Sequence, residues 1–244
     1  MELEQNISAR DSILGSIRKH LSTSEPLDPI HTEISEEQVQ PPAGAARPCI
    51  DQPLSLIELF KQKLEEVGGH CIVAGTDSEV VTLLASIISN LRETPLRARR
   101  IALSNAPGLE RFVKQSELDV DEIAVCPGAA ELFGYDVGVS TAQAAIAETG
   151  TLVLESQSEK HRLVSLVPPV HIAIVEASSI VLTLGEALAA VHGGGLGKLS
   201  PTITFITGPS RTADIELTLA IGVHGPQELY VIVKDGSVSD KGKL

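Results

Sequence analysis

The chain has 244 residues, 43% of them hydrophobic, which is enough to bury one sizeable α/β core. A formal charge of −13, an aromatic content of 2% and the absence of tryptophan weigh against nucleic acid as a partner, because that partner needs a basic face or stacking platforms. The core must therefore be built from Leu, Ile, Val and Ala.

In chain order, Ile7, Ile13, Leu14, Ile17 and Leu21 recur at near-helical spacing and predict a helix within residues 1–22. Residues 23–53, rich in Pro, Ser, Glu and Gln, read as a linker or arm. The main domain is expected over residues 54–244. Leu56, Leu59, Phe60, Leu64 and Val67 form a helical stripe that stops at Gly68-Gly69. Cys71-Ile72-Val73-Ala74 follows as a buried strand, and Asp77 or Ser78 is expected to cap a helix carrying Val80, Leu84, Ile87, Ile88 and Leu91. Ile101–Leu103 predicts a strand, Gly108–Val113 the start of a helix, and Ile123–Val125 another strand. Strands alternating with helices indicate βαβ units around a parallel sheet.

The second half departs from simple alternation. Val137–Ser140 and Gly150–Glu155 read as strands around a more helical Thr141–Ile146. His161–Val167 suits a short helix, His171–Val175 a strand, and Leu182–Val191 a helix. Thr202–Ile206 and Leu229–Val233 supply the last strands. The N-terminus, Met1-Glu2-Leu3-Glu4-Gln5, is acidic and has no apolar signal core. No stretch approaches the roughly 18 to 20 apolar residues that span a bilayer. A reduced, cytoplasmic protein without a membrane span is the expectation.

The three cysteines, Cys49, Cys71 and Cys126, are far apart and form no Cys-x-x-Cys pair. Neither a zinc knuckle nor an iron–sulfur site within this chain is expected, and Cys71 and Cys126 read as small buried hydrophobes. His161 and His171 form no i, i+4 pair and no His-Glu-x-x-His occurs, so no metal is expected. Gly193–Lys198 misses the phosphate-loop spacing and reads as a loop, and Gly208-Pro209-Ser210 lacks the second glycine of a nucleophile elbow.

The densest polar stretch is Gly208-Pro209-Ser210-Arg211-Thr212-Ala213-Asp214-Ile215-Glu216, followed by Gly222-Val223-His224-Gly225-Pro226. It comes directly after the β-branched run Ile203–Ile206. Ser210, Thr212 or Asp214 either caps a short helix whose free N–H groups face an anion, or closes a tight turn with nothing bound. Arg211 is a planar fork suited to a carboxylate, or else pairs with Asp214 or Glu216. His224 either exchanges protons near neutral pH or only hydrogen-bonds a turn carbonyl.

This stretch, together with Glu148-Thr149-Gly150-Thr151, Arg162–Pro169 and His171–Val175, resembles the LUD-domain family in its lactate utilization protein C branch. The likeness covers roughly residues 54 to 234. It implies a single three-layer α/β domain like the NagB, ribose-phosphate isomerase and CoA-transferase group, with a mostly parallel sheet and some antiparallel strands. It also implies a subunit of an L-lactate utilization system that oxidises L-lactate to pyruvate, with iron–sulfur clusters in partner subunits and none in this chain. The site residues it points to are Ser210, Arg211, Thr212 and Asp214 for the small 2-hydroxy acid, with Glu148 and His224 for proton transfer. Glu148, expected to be partly buried beside Gly150, also resembles the catalytic glutamate of CoA-transferases, so acyl transfer or an isomerase-like reaction is one alternative. A non-catalytic assembly factor that uses the N-terminal arm is the other. In open α/β sheets ligands bind beyond the carboxyl ends of strands. Gly75-Thr76-Asp77, Ser104-Asn105, Ala147–Gly150 and Gly208-Pro209-Ser210 are accordingly expected to converge.

Overall fold

The computed structural model describes residues 14–16, 18–19, 55–156, 162–191, 200–213, 219–221 and 225–236. The chain divides into two units, Met1–Cys49 and Ile50–Leu244. In the first, residues 14–16 and 18–19 are helical, and the proline-rich arm lies outside the described residues.

In the second unit, helix α1 (Leu56–Glu66) starts at a capping box. The Ser55 hydroxyl accepts from the Glu58 N–H at 3.2 Å, and the Glu58 carboxylate accepts from the Ser55 N–H at 2.9 Å. Strand β1 (His70–Ala74) leads into α2 (Asp77–Arg92). Thr76, not Asp77 or Ser78, caps α2: its backbone is extended and its hydroxyl accepts from the Glu79 N–H at 3.2 Å. Then come β2 (Arg100–Leu103), α3 (Leu109–Gln115), β3 (Glu122–Val125) and β4 (Val137–Ala142).

Residues 141–146 are not helical. Strand β4 runs on to Ala142, and Ala144–Ile146 forms β5, paired antiparallel with β6 (Thr151–Glu155). Alanine favours a helix locally, but the hairpin with β6 overrides that preference. The turn that closes the hairpin requires Gly150, at φ +63°. A Cβ there would collide with the backbone of Lys63 and Leu64 in α1.

A short 3₁₀ turn (Arg162–Ser165) precedes β7 (Val170–Glu176), and β8 (Ile180–Val181), α4 (Leu184–Val191) and β9 (Ile203–Ile206) follow. Arg211–Ala213 is a strand, β10, paired antiparallel with β11 (Leu219–Ile221). No helix starts at Ser210, because the backbone groups of this segment are taken by a neighbouring strand. Strand β12 (Glu228–Lys234) ends the described fold.

The main sheet is six-stranded and wholly parallel, in the order β1-β12-β7-β4-β2-β3. The antiparallel pairs sit in a separate four-stranded sheet, β8-β5-β6-β9, and in the β10–β11 ribbon. On one face of the main sheet, Ala74, Ile101, Val139, Ile172 and Ile232 pack against α2 and α3. On the other, Cys71, Ala173, Val231 and Val233 pack against Phe60 and Leu64 of α1 and Leu152 and Leu154 of the small sheet. Helix α4 covers the outer face of the small sheet through Ala187. Burial on both faces makes β7 an apolar run with a single buried polar member, His171, before the exposed Glu176 at its end.

Candidate functional site

The polar segments do not converge on one edge of the main sheet. Gly75-Thr76-Asp77 follows the carboxyl end of β1, and Ser104 follows the carboxyl end of β2. The Gly208–Ser210 segment lies at the opposite edge, where the Ser210 N–H donates to the Pro226 carbonyl at 2.8 Å just before β12 begins. The Gln227 N–H donates to the Pro169 carbonyl at 2.7 Å, which ties the same loop to the start of β7.

At this amino edge lies a cavity of about 190 Å³. Pockets for drug-sized ligands run to about 300–1,000 Å³, so this one suits something smaller. Its wall combines the hydroxyl residues Ser165 and Ser210 with the apolar Leu166, Phe205 and Leu229, and it includes His171. The register sets Leu229, His171 and Gly138 side by side on neighbouring strands. Gly138 is what lets Ser165 reach the site. A Cβ there would collide with the Val164 carbonyl, so only glycine admits the Arg162–Ser165 turn onto the sheet. The Ser165 hydroxyl then donates to the Arg162 carbonyl at 2.7 Å and steadies that turn.

His171 is fully buried, and its Nε2 lies 2.7 Å from the Ser140 Oγ. Its Nδ1 has no hydrogen-bond partner, the single such buried side-chain atom among the described residues. Leaving a buried polar atom unsatisfied costs about 1–3 kcal/mol. Burial pushes the imidazole down to about 3, so the ring is neutral at physiological pH. One proton is shared between two ring nitrogens. When Ser140 donates to Nε2, Nδ1 is a donor; when Nε2 donates to Ser140, Nδ1 is an acceptor.

A line of hydroxyls connects the cavity to the β5–β6 hairpin. The register that places Leu152 opposite Ile206 brings Thr151 across from Thr207 at 2.7 Å between hydroxyls, and Thr149 lies 2.7 Å from Thr151. Thr207 is also part of the cavity wall. The Glu148–Thr151 and Gly208–Ser210 blocks are thus brought together, near the C-terminal end of α1.

The residues expected from sequence fall as follows. Ser210 lines the cavity. Arg211, its neighbour, is exposed, and its guanidinium lies over Gly68 outside the lining, so close that a Cβ at Gly68 would collide with it. Thr212 is in β10. Glu148 is exposed in the hairpin turn, its N–H donating to the Leu182 carbonyl at 3.2 Å, so the expected partial burial fails. A turn at the sheet's rim presents its carboxylate outward. Asp214, Glu216, His224, His161 and the Gly193–Lys198 loop lie outside the described residues, as does Cys49. Cys71 is buried, and its thiol is pushed up to about 12 by desolvation. Cys126 is only half-buried, at φ +49°, where β3 ends. His171 and Ser165 were not singled out from sequence as site residues. The available signal was one imidazole inside an otherwise apolar run, directly after Pro168-Pro169.

Among the described residues no helix is long and apolar enough to cross a membrane. The LUD domain pattern matches residues 57–233. A lactate utilization protein C of Halalkalibacterium halodurans is 34% identical over 164 residues, which cover 64% of this chain and 71% of that protein. One of Geobacillus thermodenitrificans is 43% identical over 103 residues, covering 41% of this chain; the match spans only 43% of that relative's length. Among solved structures, a DUF162 family protein from Deinococcus radiodurans superposes with a TM-score of 0.54 at 25% identity, over 75% of this chain and 99% of that one.

Proposed function

Because this chain belongs to the LUD domain family, we propose that it acts in lactate utilization, as the acid-binding subunit of a system that oxidises L-lactate to pyruvate with iron–sulfur partner subunits. The observation that carries this reading is the amino-edge cavity, where separate sequence blocks meet around a small space whose wall combines hydroxyl and apolar residues. A three-carbon hydroxy acid has the matching parts. Its methyl group suits Leu166 and Leu229 and its oxygens suit Ser165 and Ser210; the Arg211 guanidinium, now over Gly68 outside the lining, would have to swing from there to meet the carboxylate.

Conversion of L-lactate to pyruvate releases two protons and two electrons, from the C2–H and the C2 hydroxyl. The electrons pass in this proposal to clusters on cysteine-rich partners. The cysteines described here do not suit a cluster. Cys71 is in β1 and Cys126 follows β3, the two opposite edge strands of the main sheet, and the Cys71 thiol resists ionisation.

The test is L-lactate-dependent dye reduction by the co-expressed partner subunits, with and without this chain and with Arg211→Ala. The expected result is activity that requires the chain and falls at least roughly tenfold in Arg211→Ala, the loss of one charge-assisted contact. Partner activity that is unchanged when the chain is omitted would sink the proposal.

A further inference from the structure

The His171 side chain belongs to the cavity wall and carries the one buried side-chain nitrogen or oxygen among the described residues that lacks a hydrogen-bond partner. Its Nε2 is engaged by Ser140, and its Nδ1 is buried without a partner. Ser210 and Gly208 form the neighbouring wall, and no carboxylate or ammonium group of the described lining competes for that nitrogen. Strand β7 is held from both sides by β4 and β12, so the backbone that carries the ring is fixed in the middle of the sheet.

We infer that His171 is the contact for the oxygen on C2 of a short 2-hydroxy or 2-oxo acid, and that the Ser140–His171 pair lets one ring nitrogen meet both members of such a couple. The Ser140 hydroxyl rotates, so the pair exists in two neutral arrangements. In one, Nδ1 accepts and is matched to the hydroxyl of a 2-hydroxy acid. In the other, Nδ1 donates and is matched to the carbonyl of a 2-oxo acid. An imidazolium would donate from both nitrogens and lose this choice, and burial keeps the ring neutral. The ligand's apolar end lies against Leu166, Phe205 and Leu229, and its length is limited by the cavity of about 190 Å³. The choice of acids rests on the lactate reading; the hydrogen-bond logic does not.

The experiment uses the full chain, selectively ¹⁵N-labelled at histidine, of which there are 7. The ring nitrogens of His171 are followed on addition of L-lactate, pyruvate or propionate, the last lacking the oxygen on C2. With L-lactate, Nδ1 is expected at the shift of an unprotonated nitrogen; with pyruvate, at that of a protonated one; with propionate it should stay as in the free protein. His171→Asn should weaken L-lactate and pyruvate roughly tenfold, the worth of one hydrogen bond left unmade, and leave propionate unaffected. No response of His171 to any acid, or the same response to propionate as to L-lactate, would overturn the inference. Because this readout needs no partner subunit, failure of dye reduction with an intact tautomer response removes the lactate-oxidation reading alone. Dye reduction without a His171 response removes this inference alone.

Discussion

The two edges of the main parallel sheet are built from different chemistry. At the carboxyl edge, Arg111 pairs with Asp77 at 2.8 Å, and Lys234 joins Asp77 at 2.9 Å and Glu176 at 3.1 Å, linking the ends of β1, β12 and β7. Asp77, and then Glu176, hold the Lys234 ammonium above its usual range. At the amino edge the cavity is lined by hydroxyls, aliphatic groups and a neutral imidazole with one nitrogen left over. The carboxyl edge is where an open α/β sheet ordinarily takes its ligand. Here its charges are matched among themselves, while unspent hydrogen-bonding capacity is found at the other end. Paired charges close a surface; an orphaned buried atom marks a place still waiting for a partner.

Three perturbations would break or sharpen that contrast. The largest effect is expected from Gly138→Val. The new side chain meets the Val164 carbonyl, with no flexible group to give way, and should cost about 3 kcal/mol in urea unfolding while lifting Ser165 from the cavity. A cost below about 1 kcal/mol would mean that the Arg162–Ser165 turn is not held down by close backbone contact.

Next comes acid sensitivity. The His171 imidazole titrates near 6.5 when unfolded and is held at about 3 when folded, so below 6.5 the unfolded chain binds a proton that the folded one refuses. The contribution is fully present above 6.5 and is lost as the pH falls towards 3. From pH 7 to pH 5 this single group should remove about 2 kcal/mol of stability. Comparing the wild type with His171→Leu isolates it, since all other titrations are shared. Parallel loss of stability in the two proteins would show that the ring is not held neutral by burial.

The smallest effect belongs to the carboxyl edge. Asp77 and Glu176 are about half exposed, so Lys234→Ala should cost less than about 1 kcal/mol and leave the His171 ring signals in place. A shift of those signals would mean that the two edges are coupled along β12.

Much of the fold was legible in the sequence. The apolar stripe of α1, the alternation from β1 to β3 and the strand at 203–206 follow from periodicity and stop signals, which are local. Local rules failed where partners are distant. Ala144–Ile146 looks helical until β6 pairs with it, and Ser210 looks like a helix cap until Arg211–Ala213 pairs with Leu219–Ile221. In the site, Ser210 was foreseen because it sits in a dense polar motif, whereas Glu148 was expected to be partly buried and is exposed on a turn.

The sequence by itself determined the fold class and the family, since both depend on residue order: hydrophobic period, glycine stops and ordered polar blocks. Tertiary structure alone decided which edge of the sheet carries the cavity, and that His171 rather than Glu148 is the buried titratable group beside it. Register and strand order set those outcomes. Gly138, His171 and Leu229 lie far apart in the chain and become neighbours only when β4, β7 and β12 pair.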